Sequence, residues 1–128
     1  MNKKSHSGDF ICYKFIFIDF IWSLSMIVRT WHGCVPVAFG DAFAGHLQAT
    51  GVQHSRSIAG NAGAFVRRET QGEWEHFFLA TYWNDLDAII AFAGEEYHVA
   101  VTYADDEQFQ LLSDPYVFQF EVAAVVGI

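Results

Sequence analysis

Residues 74–83 read Trp-Glu-His-Phe-Phe-Leu-Ala-Thr-Tyr-Trp, and this stretch decides the fold. It holds no glycine or proline and is rich in aromatic residues, the composition of a long β-strand. Successive strand side chains point to opposite sides. Trp74, His76, Phe78, Ala80 and Tyr82 therefore share one side, and Phe77, Leu79, Thr81 and Trp83 the other. Both sides are largely apolar, so both must be covered.

The flanking residues supply what this strand pairs with. Upstream, Ala64–Glu69 reads as a strand and Thr70-Gln71-Gly72 as a tight turn, so the two strands form a hairpin. Downstream, Asn84 reads as a helix N-cap, with Asp87 favouring the positive helix end. Leu86, Ile89, Ile90 and Ala93 give the apolar stripe of that helix, and Gly94 closes it. Nearer the start, Met26–His32 reads as a first strand stopping near Gly33. Pro36 suits the first turn of a helix, whose stripe of Phe39, Phe43 and Leu47 ends near Gly51. Residues 95–102 are expected to form a short helical turn and residues 103–112 an acidic loop or partial helix. Tyr116–Val122 is expected as a last strand with Tyr116, Phe118, Phe120 and Val122 on one face.

The order β-α-β-β-α-β predicts an α+β, ferredoxin-like domain, four antiparallel strands with both helices on one face. Two helices cover only one side of such a sheet. The other, aromatic side is expected to meet a second copy of the chain and to enclose an aromatic-lined cavity there, which predicts a homodimer.

Composition sets the outer bounds. The chain has 128 residues, 52% hydrophobic and 17% aromatic, with 13 Phe and 2 Pro, so a packed core is expected and disorder is excluded. A net charge of -8 disfavours nucleic acid, whose phosphates need clustered cations. The two cysteines, Cys12 and Cys34, form no CxxC pair and no disulfide framework, which points to a reducing, cytoplasmic setting. All three lysines, Lys3, Lys4 and Lys14, lie near the start, and the four arginines after residue 25 face a large excess of acids. Residues 1–25 thus read as a separate extension and 26–128 as the domain. Within the extension, Phe10–Trp22 is apolar but carries Lys14 and Asp19, which count against stable membrane insertion. A secretory signal ending near Ser23-Leu24-Ser25 and an amphipathic surface segment remain open. A functional unit that begins at Met26 is the preferred reading.

The segments Ile27-Val28-Arg29-Thr30-Trp31-His32-Gly33, Thr50-Gly51-Val52, Gly60-Asn61, Thr81-Tyr82-Trp83 with its helix Leu86–Gly94, and Tyr103–Phe109 together resemble the antibiotic biosynthesis monooxygenase (ABM) domain family of dimeric α/β-barrel proteins. The resemblance covers roughly residues 26–123. It implies a homodimer with two sheets facing each other around a cavity. It also implies an oxidoreductase activity: cofactor-independent oxygenation by O2 of an electron-rich aromatic or quinol, with no metal, flavin or other cofactor. Haem-degrading relatives use an Asn, a Trp and a His ligand. Near those places this chain carries Arg29 or Thr30, Phe92, and Thr102 or Tyr103, so a haem-binding relative ranks third.

Candidate catalytic residues are His32, Tyr103 and His98. His32 ends the first strand, and an imidazole is suited to taking a proton from a phenol. Tyr103 could hydrogen-bond a substrate oxygen, and His98 follows the second helix. Candidate substrate-binding residues are Arg29, which could stabilise an enolate, and Trp31 and His76, which could line a cavity. Each has a plainer role open to it: a paired arginine, a core tryptophan, a satisfied core histidine or an exposed one. Arg67-Arg68 read as solvation or pairing at a dimer rim. Asp105-Asp106-Glu107 lack the spacing of a calcium loop. His46 and His54, eight apart across the expected helix end, do not make a zinc pair. The alternative to an oxygenase is a non-catalytic dimeric module, small-ligand-binding or stress-related, whose cavity only sequesters a small apolar or aromatic molecule.

Overall fold

The computed structural model describes residues 25–123; the readings of residues 1–24 lie outside them. The ten-residue stretch is a strand, β3 (Trp74–Trp83). It turns back at Gly72 and Glu73 onto β2 (Asn61–Gln71), with Gln71 opposite Trp74. Its other edge pairs antiparallel with β1 (Met26–Pro36), from Ile27 opposite Trp83 to Pro36 opposite Trp74. Along the remaining edge of β1 lie two short strands, β4 (Leu112–Ser113) and β5 (Phe118–Val122). The order β2-β3-β1-β4, with β5 continuing beside β1, gives an α+β, ferredoxin-like sheet.

All the helices that matter to the core pack on one side. Alternation on β3 puts Glu75, Phe77, Leu79, Thr81 and Trp83 there, and all five are buried. One core cluster joins Val35, Phe77 and Leu79 of the sheet to Phe43 and Leu47 of α1 (Gly40–Leu47). A second joins Trp83 to Ala88 and Ile89 of α3 (Leu86–Ala93). Buried Glu75 sits at the rim of the first, where the Thr70 hydroxyl and then Arg68 hold its carboxyl below the usual carboxylate range. Arg68 is thus paired inside the protomer, with Asp41 as a second partner, while Arg67 pairs with Glu69 on the opposite side.

Two expected stops are corrected. β1 does not end near Gly33 but runs through it to Pro36. Gly33 is buried because the Trp31 ring folds over it: a Cβ there would stand 2.5 Å from the indole. Likewise the first helix does not end near Gly51. It passes through a π-helical turn, Gln48–Val52, into α2 (Gln53–Arg56). A Cβ on Gly51 would lie 3.2 Å from both Leu47 and Leu79 side-chain carbons. Both glycines mark close approach rather than chain termination.

Two local readings also change, while the partial helix expected in the acidic stretch is present. The cap of α3 is Asp85, whose carboxylate accepts from the Ala88 amide at 2.9 Å. The Asn84 amide instead donates to the Gly60 carbonyl. Residues 95–102 hold one hydrogen-bonded turn, the Val99 amide to the Glu96 carbonyl, and no helix: Val99 bridges Tyr116, and the amides of Ala100 and Val117 bond Pro115 and His98 carbonyls. The Tyr97, His98 and Val99 carbonyls are engaged across the fold, so the turn does not continue as a helix. Residues 104–109 are a 3-10 helix, Ala104–Phe109, in the acidic stretch. Among the described residues no helix is long and apolar enough to cross a membrane.

Candidate functional site

Among the described residues a cavity lies on each side of the sheet. The inner one lies between the two core clusters, under the helices, and Arg29, Trp31, Leu79, Phe92 and Tyr103 are among its walls. Its interior holds about 40 Å³, room for a few waters or a diatomic gas, within a cleft of about 510 Å³ counted out to its open mouth. The outer cavity, about 400 Å³, lies on the side of the sheet without helices, where His32, Phe65, Phe78, Asp114, Tyr116 and Phe118 line it.

Arg29 brings a charge into the inner cavity. It sits on β1 on the same side as Trp31 and is only 4% exposed. Nη1 donates to the Tyr97 carbonyl and to Gln119 Oε1 (2.9 Å), and Nη2 donates to the Val99 carbonyl at 3.2 Å. The guanidinium carbon lies 5.6 Å from the centroid of the Phe92 ring. Burial, opposed by the nearby Tyr103, pulls the guanidinium down to about 10, still fully cationic at neutral pH. Three of its five N–H groups are thereby used, and the rest have no partner among the described residues.

Tyr103 faces this cation from the other wall. Its hydroxyl is 2.8 Å from His54 Nδ1. Burial first, then Asp106, raises the phenol to about 12 against the opposing pull of Arg29. Tyr103 is therefore a hydroxyl at neutral pH, and it donates to His54 in the tautomer that leaves Nδ1 unprotonated. Behind it the Asp106 carboxylate accepts from the Tyr103 amide at 2.8 Å and meets His46 Nε2 at 2.7 Å. Thr50 donates its hydroxyl to the His46 carbonyl at 2.7 Å. The raised phenol has a visible consequence. In an ultraviolet titration a phenol ionising at about 12 is expected, and Tyr103→Phe is expected to remove that step. A wild-type titration whose profile is unchanged by Tyr103→Phe in that range would show that Tyr103 is not enclosed.

The expected site residues thus separate. Arg29 and Tyr103 reach the inner cavity, and Trp31 lines both, its indole donating to Ser113 Oγ at 2.8 Å. His32 and His76 lie on the outer side, His32 Nε2 being 2.8 Å from His76 Nδ1 and His32 Nδ1 3.1 Å from Asp114 Oδ2. His98 is exposed, its ring 4.6 Å from that of Tyr97, and lines neither cavity. His76 is half-buried, and its expected partner is His32.

Sequence reasoning missed His46, His54 and Asp106 as members of the site. Residues 46, 50 and 54 recur every four positions and mark one helix face. Ending the helix at Gly51 hid that pattern. Among the described residues no group of three or more His, Cys, Asp or Glu is placed to hold a metal ion.

No protein-family model matches the chain, and no curated protein matches it. Among solved structures, the structure of Rv0793 from Mycobacterium tuberculosis matches at 16% sequence identity, covering 77% of this chain and 95% of that one, with a TM-score of 0.46.

Proposed function

We propose that the chain is a cofactor-independent monooxygenase of the ABM kind, which acts with O2 on an electron-rich aromatic or quinol in the inner cavity of a homodimer. The observation that carries this reading is the pairing, across one apolar cavity, of a buried cation, Arg29, with a hydroxyl already bonded to an imidazole, Tyr103 and His54. A substrate hydroxyl placed against Tyr103 passes its proton to that oxygen as the Tyr103 proton moves to His54 Nδ1. The resulting anion faces the unpaired donors of Arg29. Such an anion is electron-rich enough to reduce O2 directly. One oxygen atom enters the product as a carbonyl oxygen and the other leaves as water with the two hydrogens lost by the substrate, which supplies all four electrons. Apolar walls of Leu79, Phe92 and Trp31 keep bulk water from the anion. The aromatic ring lies in the cleft of about 510 Å³ that opens from this interior.

The dimer rests on the outer side of the sheet. Phe118 is 75% exposed and Phe65 62%, with Phe78, Phe120 and Trp74 on the same side. Four strand positions about 4.8 Å apart and about ten residues long make a face of about 600 Å². That approaches the roughly 800 Å² each partner buries in an ordinary stable interface. The charged groups on it already have partners, Arg67 with Glu69 and Asp114 with the His32 imidazole, so a second copy can cover it without leaving one unpartnered.

A non-catalytic ligand-binding module is the second reading, favoured by the engagement of Arg29 with two backbone carbonyls. Oxygen uptake by metal-free protein over a panel of anthrones and hydroquinones separates the two. Uptake is expected, reduced about 10²-fold or more by Tyr103→Phe and by Arg29→Met. Saturable binding with no uptake on any compound selects the binding module. A loss with His32→Ala equal to that with Tyr103→Phe moves the site to the outer cavity.

A further inference from the structure

On the outer face, away from the proposed chemistry, a carboxylate and two imidazoles form a chain: Asp114 Oδ2 to His32 Nδ1 at 3.1 Å, and His32 Nε2 to His76 Nδ1 at 2.8 Å. The two rings lie nearly parallel, 12° apart, with centroids 5.1 Å apart. Asp114 owes its place to the break between β4 and β5, where its amide bonds the His32 carbonyl. An N-to-N contact of this length needs one nitrogen to donate and the other to accept. The pair therefore holds a single excess proton at most while the contact lasts. A second proton places two donors face to face and breaks it.

The groups around the pair cannot absorb that second charge. Asp114 serves His32. On β2, Glu69 stands opposite His76 but is held by Arg67 at 2.7 Å. On β1, Cys34 stands opposite His76, and burial, with Asp114 adding to it, raises its thiol, which stays neutral. Tyr116 contributes an uncharged phenol to the same cavity. The Phe78 ring packs 4.8 Å from His32 and beneath Arg67. With one imidazole charged, the cations His32 and Arg67 balance the anions Asp114 and Glu69. With both charged, each face carries an extra positive charge among aromatic rings.

We propose that this chain makes self-association through the outer face pH-dependent, the dimer holding near pH 8 and parting as the second imidazole takes a proton. The inference rests on the homodimer reading above. Covering the face removes water from the pair, so a second charge that solvent tolerates in the free protomer is penalised in the dimer. The protons are thus taken up on dissociation, and acid pulls the faces apart.

Sedimentation equilibrium of the full chain tests it, from pH 8 down to the lowest pH at which circular dichroism shows the fold intact. The dimer dissociation constant is expected to rise at least tenfold toward pH 5. His76→Gln keeps a hydrogen-bonding partner for His32 but has no second proton site, and it is expected to lose most of that rise. A wild-type constant that changes less than twofold overturns the pH inference and leaves the dimer standing, as does a His76→Gln protein with the full response. A monomer at pH 8 overturns the dimer and this inference together.

Discussion

Trp83→Ala is expected to remove about 3–5 kcal/mol of stability, a large share of a typical total of about 5–15 kcal/mol. Trp83 is wholly buried and is the central member of the cluster with Ala88 and Ile89 that fixes α3 to the sheet. Its ring lies 5.4 Å from that of Phe92, the residue beneath the Arg29 guanidinium. Its indole N–H donates to Thr81 Oγ1 at 2.8 Å, so truncation also costs a buried hydroxyl one of its two partners, the Arg29 carbonyl being the other. Little nearby can collapse into the space, because Thr81 and Ile89 are themselves held on rigid elements. Urea denaturation is the measurement, with the wild type and Trp83→Phe beside it. Phe keeps most of the volume and forfeits the hydrogen bond, so it should fall between the two. A midpoint for Trp83→Ala within error of the wild type would mean that α3 is not anchored through this ring, and the wall carrying Phe92 would have to be redrawn.

That anchoring explains what was legible in the sequence and what was not. β3 was readable because it needs two apolar sides, and period-two alternation survives any tertiary context. The hairpin and α3 were readable for the same local reasons, with Asn84 and Asp85 near enough as caps to differ by one position. Gly33 and Gly51 misled because a glycine that ends an element and one that admits a neighbour look alike in sequence. The indole over Gly33 and the Leu79 side chain against Gly51 belong to the tertiary fold alone. The second error carried into the site: with the helix cut at Gly51, His46 and His54 fell on different elements and their common face was lost. Residues 95–102 misled for a different reason. Their carbonyls are claimed by Arg29, nearly seventy positions earlier, and no local pattern records such a long-range acceptor. The separation of Arg29 from His32 was readable in principle, since 29 and 32 differ by an odd number on one strand and so face opposite sides.

Phe78→Glu is expected to convert the proposed dimer into a monomer, raising its dissociation constant by about 10³-fold or more, while the fold persists. Phe78 lies on β3 in the middle of the outer face, 38% exposed in the protomer. Any arrangement that covers the face covers this ring. In the free protomer a carboxylate there finds water and the neighbouring Arg67, whose guanidinium now lies 5.8 Å from the ring centroid, so the monomer tolerates it. In the dimer the same carboxylate must be dried among Phe65, Phe118 and their counterparts. Arg67 is already paired with Glu69 and offers only shared compensation. Stripping water from an incompletely paired carboxylate costs several kcal/mol, and each 1.4 kcal/mol is a tenfold change in affinity. Leu86→Glu is the control. Leu86 is also 38% exposed but sits on α3, on the opposite side of the sheet. If exposed apolar surface of any kind drove association, the two substitutions would act alike. If the sheet face is the interface, light scattering gives a monomer for Phe78→Glu and a dimer for Leu86→Glu. A dimer in both places the contact elsewhere, and the outer cavity would then stand open to solvent as a pocket of a single protomer.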